Sequence, residues 1–217
     1  YAAYALASTD VSYTKPDGTQ TSVKAALDEV YAKVPSHEIG DEVTVGGEQF
    51  YVLEWDNNCD TVNLISKYNL NTAGTAQQNA TYKTTACAFS STNYWSSSFT
   101  SSPFNLNDFI GYTATDAIGK AKSYGRSKGA VSSRLLSYEE ANALKSKESS
   151  NAKIRSMYRG NANTADGYLY YWLGSADYTD NVWLVDGCNC DLFNYSFVNS
   201  GDCGVRPVIT VLKSKIS

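Results

Sequence analysis

YLYYWLGS at 168–175, NVWLVDG at 181–187 and GVRPVITVL at 204–212 are short runs of aromatic and aliphatic residues separated by Asp, Asn, Ser and Gly. Runs of that length, bounded by turn residues, read as β-strands. From Lys153 onward the chain is therefore expected to be strand-like, with no helix signal beyond residue 160. Upstream the signals change. Thr115-Asp116 are placed to cap ATDAIGKAKSYGRSKG, a helical stretch ending at Gly129. Ser137 opens SYEEANALKSK with Glu140 three residues on, which is a capping box. Earlier still, DEVTV, Gly46-Gly47 and QFYVLEW read as a hairpin with a glycine turn, and TVNLISK at 61–67 as a third strand. Residues 69–110 are polar, aromatic and irregular, and are expected to form a long loop region. A hairpin, then two helices, then a β-rich C-terminal third predicts a mixed α+β domain over 37–217.

Residues 1–36 are of another kind. Lys15-Pro16-Asp17-Gly18 is a turn, and Thr21 or Ser22 is placed to cap a helix. Val23, Leu27, Val30 and Val34 follow a 4-3-4 spacing before Pro35 stops the pattern. Two heptad turns are too short to stand alone, so the segment is expected to pack on the main domain or on copies of itself.

Composition narrows the classes. The chain has 217 residues, 42% hydrophobic and 18% charged, enough for one cored domain. A net charge of −4 without a basic run argues against nucleic acid as a partner. No window approaches a membrane-spanning run, so no membrane insertion is expected. The chain begins at Tyr1 rather than Met and is expected to be a trimmed fragment. Seventeen Tyr and four Trp beside many Ser, Thr, Asn and Gly match the composition of binding paratopes, and equally that of an aromatic-rich β domain. Five cysteines, an odd count, point to thiols and synthesis in a reducing cytoplasm rather than to a disulfide framework.

Three of those cysteines fall in DGCNCDLFNYSFVNSGDC at 186–203. Cys188-Asn189-Cys190 lacks the C-x-x-C spacing of a zinc site, and the only histidine, His37, is far away in sequence. On a strand, residues two apart face the same way, so both thiols are expected to face solvent. Without further histidine no Ser-His-Asp or Cys-His set can be built. Glu139, Glu140 and Asp116 read as solvated faces and caps. The residues argue for no enzyme activity, no cofactor and no metal. Arg206, alone in an apolar run before Pro207, is expected to hold loop carbonyls or a carboxylate.

Tyr171-Trp172-Leu173-Gly174-Ser175, Val182-Trp183-Leu184-Val185 and Gly204-Val205-Arg206-Pro207-Val208-Ile209 together resemble the C-type-lectin-fold variable proteins of diversity-generating retroelements, many of them in phage tails. GE-F-V at 47–52, TVNLISKYNL, STNYW at 91–95 and SRLLSYEEA fit the same pattern, so the resemblance covers about residues 38–212. The "VSY" lead and "SVKAALDEVY" resemble a segment of phage tail and structural proteins that leads into the functional domain, often in an oligomer. The Glu-Pro-Asn or Gln-Pro-Asp loop and Trp-Asn-Asp strand of calcium-dependent lectins do not occur, so no calcium-dependent sugar site is expected. Formylglycine-generating enzymes share the broad fold and use reactive cysteines. Here the cysteines fall in the stretch that the resemblance marks as variable.

The resemblance implies a way of changing sequence. Adenines of a template are copied with errors, so an AAC codon becomes any NNC codon. That set includes Asn, Tyr, Asp, Ser, Gly, Phe and Cys and excludes Lys, Glu, Gln, Met and Trp. Between Met157 and Lys213 lie 55 residues without Lys, Glu, Gln or Met, although the whole chain holds 26 of these in 217. The variable positions implied are Asp177, Tyr178, Asp180, Asn181, Asp186, Cys188, Asn189, Cys190, Asp191, Phe193, Asn194, Tyr195, Ser196, Asn199, Ser200 and Asp202. Trp172, Trp183, Leu173, Leu184, Val205 and Val208 would be scaffold. The expectation is a hypervariable ligand-binding protein, on a virion or bacterial surface, that recognises a host-surface protein or glycan and forms a homotrimer or other homo-oligomer. The alternative is a structural or adhesion domain of the same fold that does not diversify.

Overall fold

The computed structural model describes residues 11–32, 36–70, 87, 89–90, 103–108, 112–160, 170–177, 181–197 and 203–217, with the backbone only for 30–32 and 194–197. The chain divides into two compact units, Tyr1–His37 and Glu38–Ser217. In the first, β1 (Ser12–Thr14) pairs antiparallel with β2 (Gln20–Ser22) and leads into α1 (Val23–Ala32). The turn closes because Gly18 N–H donates to Lys15 O at 2.9 Å and the Asp17 carboxylate accepts from Thr19 N–H at 2.9 Å. Ser22 is the cap: its Oγ accepts from Ala25 N–H at 3.0 Å. Leu27, on the expected apolar stripe, is 48% exposed. The end of the expected helix, Val34 and Pro35, lies outside the described residues.

The second unit is a mixed α+β fold with antiparallel sheets. β3 (Glu42–Val45) and β4 (Glu48–Glu54) form the expected hairpin, and Gly46 and Gly47 have φ of 56° and 80°. Two successive positive φ angles define the turn whose twist suits a two-residue hairpin, which is why glycines stand there. β5 (Thr61–Ser66), β7 (Ser132–Leu135) and β11 (Pro207–Leu212) complete a sheet of order β3-β4-β5-β11-β7. The last strand thus returns to the sheet interior, with Val208 opposite Ile65 and Arg134. A second sheet has the order β10-β9-β8-β6, built from β6 (Phe104–Asn105), β8 (Tyr170–Ala176), β9 (Asn181–Asp186) and β10 (Asp191–Phe197).

Two hydrophobic clusters lie on opposite faces of the larger sheet. Phe50, Val52, Leu64 and Ile209 point into one, together with Ala117, Ile118, Ala121 and Tyr124 of α2 (Ala117–Ser127). Tyr51, Leu53, Ile65 and Val208 alternate into the other, against α3 (Tyr138–Glu148) and α4 (Ala152–Arg159). The alternation is the two-residue period of a strand buried on both sides. Of the expected long loop region, the described parts are anchored: Leu70 and Phe89 are fully buried and Ser90 is buried.

The helix α4 corrects the expectation of strand after Lys153. Asn151 caps it, its Oδ1 accepting from Lys153 N–H at 3.0 Å and Ile154 N–H at 3.2 Å. Ile154, Met157 and Tyr158 are spaced 3-1 on one face and buried. The main unit therefore has three helices among the described residues rather than two. At the start of α2, Asp116 holds the cap position, yet its carboxylate accepts from Thr113 N–H at 2.9 Å and not from its own helix.

The capping box at α3 forms as expected, Glu140 N–H donating to Ser137 Oγ at 3.2 Å and Ser137 N–H to Glu140 Oε2 at 2.9 Å. Arg134 adds two charge-assisted bonds to the same carboxylate, at 2.6 and 2.7 Å. Burial pushes the Glu140 pKa up, but the Arg134 guanidinium and the Ser137 bonds outweigh it and hold the carboxyl below the ordinary glutamate range. Ser137→Ala is expected to cost about 1 kcal/mol by urea unfolding. The Glu140 contribution is complete above the ordinary glutamate pKa and is lost as pH falls through the depressed folded-state value. Glu140→Gln is therefore expected to be less stable than the parent at neutral pH and to converge with it in acid.

Candidate ligand-binding face

β8 is the pinned centre of the smaller sheet. Trp172 is fully buried, its Nε1–H donates to Cys87 O at 2.7 Å, and Phe89 meets it edge-on at 5.7 Å. Tyr171 O–H donates to Tyr158 O at 2.6 Å, tying the strand to α4. Gly174 stands where the Asn107 side chain crosses the strand; a Cβ there would lie 2.1 Å from Nδ2. Asn107 cannot step aside, because it accepts from Leu135 N–H at 2.8 Å and donates to Leu135 O at 3.1 Å. The Ser175 hydroxyl accepts from Tyr138 N–H at 2.9 Å. Leu173, Leu184, Val205 and Val208 are all buried, and Trp183 is half-buried against Tyr138 with ring centroids 4.4 Å apart.

Arg206 is 1% exposed. Its Nε donates to Ser66 O at 2.7 Å, its Nη1 reaches Tyr158 O at 3.5 Å, and the guanidinium lies 5.0 Å from the Tyr171 ring centroid. It holds carbonyls, as its place in an apolar run suggested. Burial lowers its pKa against the pull of Tyr171 and Tyr51, and burial raises the Tyr171 phenol to about 12.

The candidate variable residues follow from this centre. β9 and β10 join through residues 187–190, with Asp191 paired opposite Asp186. The turn is an Asx type: Asp186 Oδ1 accepts from Cys188 N–H at 2.8 Å and Asn189 N–H at 3.2 Å, and Oδ2 from the Asn189 side chain at 2.7 Å. Asp186 is 1% exposed. Cys190 has φ of 58°, unusual without a glycine, and is 7% exposed. Arg159 of α4 reaches across, Nε donating to Cys190 Sγ at 2.8 Å and Nη2 to Cys188 O at 3.2 Å. Lys145 of α3 pairs with Asp191 at 2.5 Å.

The expectation that both thiols face solvent from a strand is corrected here. Cys188 and Cys190 lie in a turn, not on a strand, so two-residue alternation does not apply and their side chains do not share a solvent face. Cys188 is half-buried and Cys190 packs in the cluster under α3 and α4. Asp186 and Cys190 are buried, the one bonded within its own turn and the other to Arg159. Among the described candidates, Asn189 is exposed, and Asp177, Asn181, Cys188, Asp191 and Phe193 are partly exposed. Asn194, Tyr195 and Ser196 lie on β10, where the register shifts by one residue between Phe193 and Ser196. Tyr178, Asp180, Asn199, Ser200 and Asp202 lie outside the described residues. Nothing in the local pattern of 186–191 signals Arg159 or Lys145, which act from helices about 30 to 45 residues upstream in sequence.

Both faces of β8 and β9 are covered. Val182 and Leu184 enter one cluster, Val185 and Trp183 the other. Among the described residues of this region, the polar side chains left partly or fully exposed are Asp177, Asn181, Asn189 and Asp191, at strand ends and in the 187–190 turn, rather than across a broad sheet face. Among the described residues no three His, Cys, Asp or Glu side chains gather as metal ligands, and no helix is long and apolar enough to cross a membrane. The fold and this edge define a mixed α+β protein with a buried frame and a polar rim. Comparison with protein-family models, with curated proteins and with solved structures finds no match to the chain.

Two substitutions test the frame and the turn. Gly174→Ala is expected to lower stability by about 2 kcal/mol or more in urea, because Asn107 cannot yield. Cys190→Asn, which tolerates the left-handed backbone, is expected to stay within about 1 kcal/mol of the parent, whereas Cys190→Val is expected to lose about 2 to 3.

Proposed function

We propose that the chain is a ligand-binding protein of C-type-lectin type whose rim residues vary while its frame stays fixed, and that it serves attachment of a phage to its host. The observation that carries this is the partition of the C-terminal segment. Trp172, Leu173, Leu184, Val205 and Val208 are at most 3% exposed, while Asp177, Asn189, Asp191 and Phe193 sit at a strand edge and in connections between strands. The whole segment avoids the residues that NNC codons cannot encode, apart from the Trp residues of the frame. A rigid frame that tolerates replacement at its rim suits a binding site whose ligand changes. Its ligand is then a host-surface protein or glycan, and copies assembled through 1–36 would turn weak single contacts into avidity.

A second reading is an adhesion or structural domain that never diversifies. Asp186 and Cys190 favour it, since each has a fixed partner in the fold.

The gene from sibling isolates decides between them. The binding reading expects changes confined to NNC codons at rim positions such as Asn189, Asp191 and Phe193, with Asp186, Gly174 and Trp172 constant. It also expects a reverse-transcriptase gene and a template repeat nearby. Differences spread evenly along the chain, with neither neighbour present, would leave the fixed domain as the answer.

A further inference from the structure

We propose that Cys87 and Cys203 are a cross-strand pair placed to form a disulfide when the folded protein meets a low-molecular-weight disulfide. The inference does not rest on the binding function. The two residues face each other as an antiparallel bridge, and Cys87 N–H donates to Cys203 O at 2.9 Å. Directly opposed residues of antiparallel strands have Cα atoms about 4.5 to 5.5 Å apart and side chains on one face. That separation falls inside the span a disulfide bridges, about 4.4 to 6.8 Å. Both side chains join the same cluster: Cys203 is 1% exposed, and Cys87 is half-buried against it.

Cys87 and the residue after Cys203 are each tied to β8, so the pair is brought together by the fold. Trp172 Nε1–H fixes Cys87 O. Gly204, next to Cys203, exchanges bonds with β8, its N–H donating to Tyr170 O at 2.8 Å and its O accepting from Trp172 N–H at 3.1 Å. All five cysteines are thiols in this structure. The other three differ in kind: Cys59 donates to the Asp56 carboxylate in an exposed turn, Cys190 is engaged by Arg159, and Cys188 stands beside it in the same turn.

The chemistry is a thiol–disulfide exchange in two steps. The more accessible Cys87, as thiolate, attacks one sulfur of the small disulfide; that S–S bond breaks and a thiolate leaves. Cys203, giving up its proton, then attacks the Cys87 sulfur of the mixed disulfide and expels the second thiolate. Two protein thiols are oxidised, the reagent is reduced to two thiols, and the two protons end on them. Burial raises the Cys87 thiol to about 11, so the exchange is slow near neutrality and quickens as pH rises. The link would tie the segment carrying Phe89 to the entry of β11, converting a core contact into a covalent one.

The test uses the full chain, purified reduced, freed of reductant and held with oxidised glutathione at about pH 8.5 before denaturation and alkylation. The expected result is loss of two of the five alkylatable thiols, a mass about 2 Da lower before alkylation, and a peptide joining Cys87 to Cys203. Cys203→Ala is expected to leave Cys87 as a glutathione mixed disulfide. The urea midpoint of the oxidised parent is expected to rise and to fall back on reduction. Retention of all five thiols, a Cys188–Cys190 link with Cys87 and Cys203 still alkylated, or an unraised midpoint would overturn the proposal.

Discussion

A buried cation sits at the junction of the main unit. Arg206 lies just before β11, bonds to the end of β5 through Ser66 O, reaches the C-terminal turn of α4 through Tyr158 O, and rests on the Tyr171 ring of β8. One side chain thus touches both sheets and a helix. Removing a guanidinium from water is costly, and here no carboxylate among the described residues offsets it. What compensates is the set of carbonyl acceptors and the aromatic face, which work only while β5, β8 and α4 keep their places. The constraint runs both ways. The cation specifies the arrangement, and the arrangement is what makes the cation tolerable.

Around that junction the sheets are buried on both sides, and this limits where the molecule can meet anything else. In an antiparallel sheet with one wet face, every second residue of each strand is available. Here the middles of β4, β5, β8, β9 and β11 send alternate residues into separate clusters, and the polar row of Glu54, Asn63, Thr210 and Ser132 across the larger sheet is engaged in its own side-chain hydrogen bonds. Among the described residues of 177–193, side-chain exposure is greatest at Asn189, at the tip. Gly174 shows how tight the interior is: the crossing Asn107 leaves no room even for a methyl group.

Much of this was legible in sequence where the signal is local. The capping box of Ser137 and Glu140, the Gly46-Gly47 turn, the cap at Ser22 and the helix end before Gly129 each depend on a few neighbouring residues, and each formed. The frame around Trp172 was legible as strand because its residues are aromatic and branched. α4 was not, because eight residues carry few turns of period, and Ile154, Met157 and Tyr158 read as readily as strand. Its Asn151 cap was the available signal. The burial of Asp186 and Cys190 was illegible for another reason. Asp-Gly-Cys-Asn-Cys is polar turn chemistry by composition, and only Arg159 and Lys145, brought by distant helices, decide that the turn is clamped.

On the reading proposed above, that clamp limits which positions of the turn can vary. A codon that can become many residues supplies variation without regard to backbone. Position 190, at φ of 58°, accepts without strain little beyond Gly, Asn and Asp, and Asp186 is the one acceptor serving two backbone N–H groups of the turn. Most replacements at either position would therefore change the shape of the tip before they changed its contacts. At Asn189, exposed at that tip, replacement changes chemistry and leaves the backbone alone. The boundary between frame and rim is therefore drawn by dihedral angle and by hydrogen bonds from α3 and α4, and it passes through the turn residue by residue rather than along a contiguous stretch of sequence.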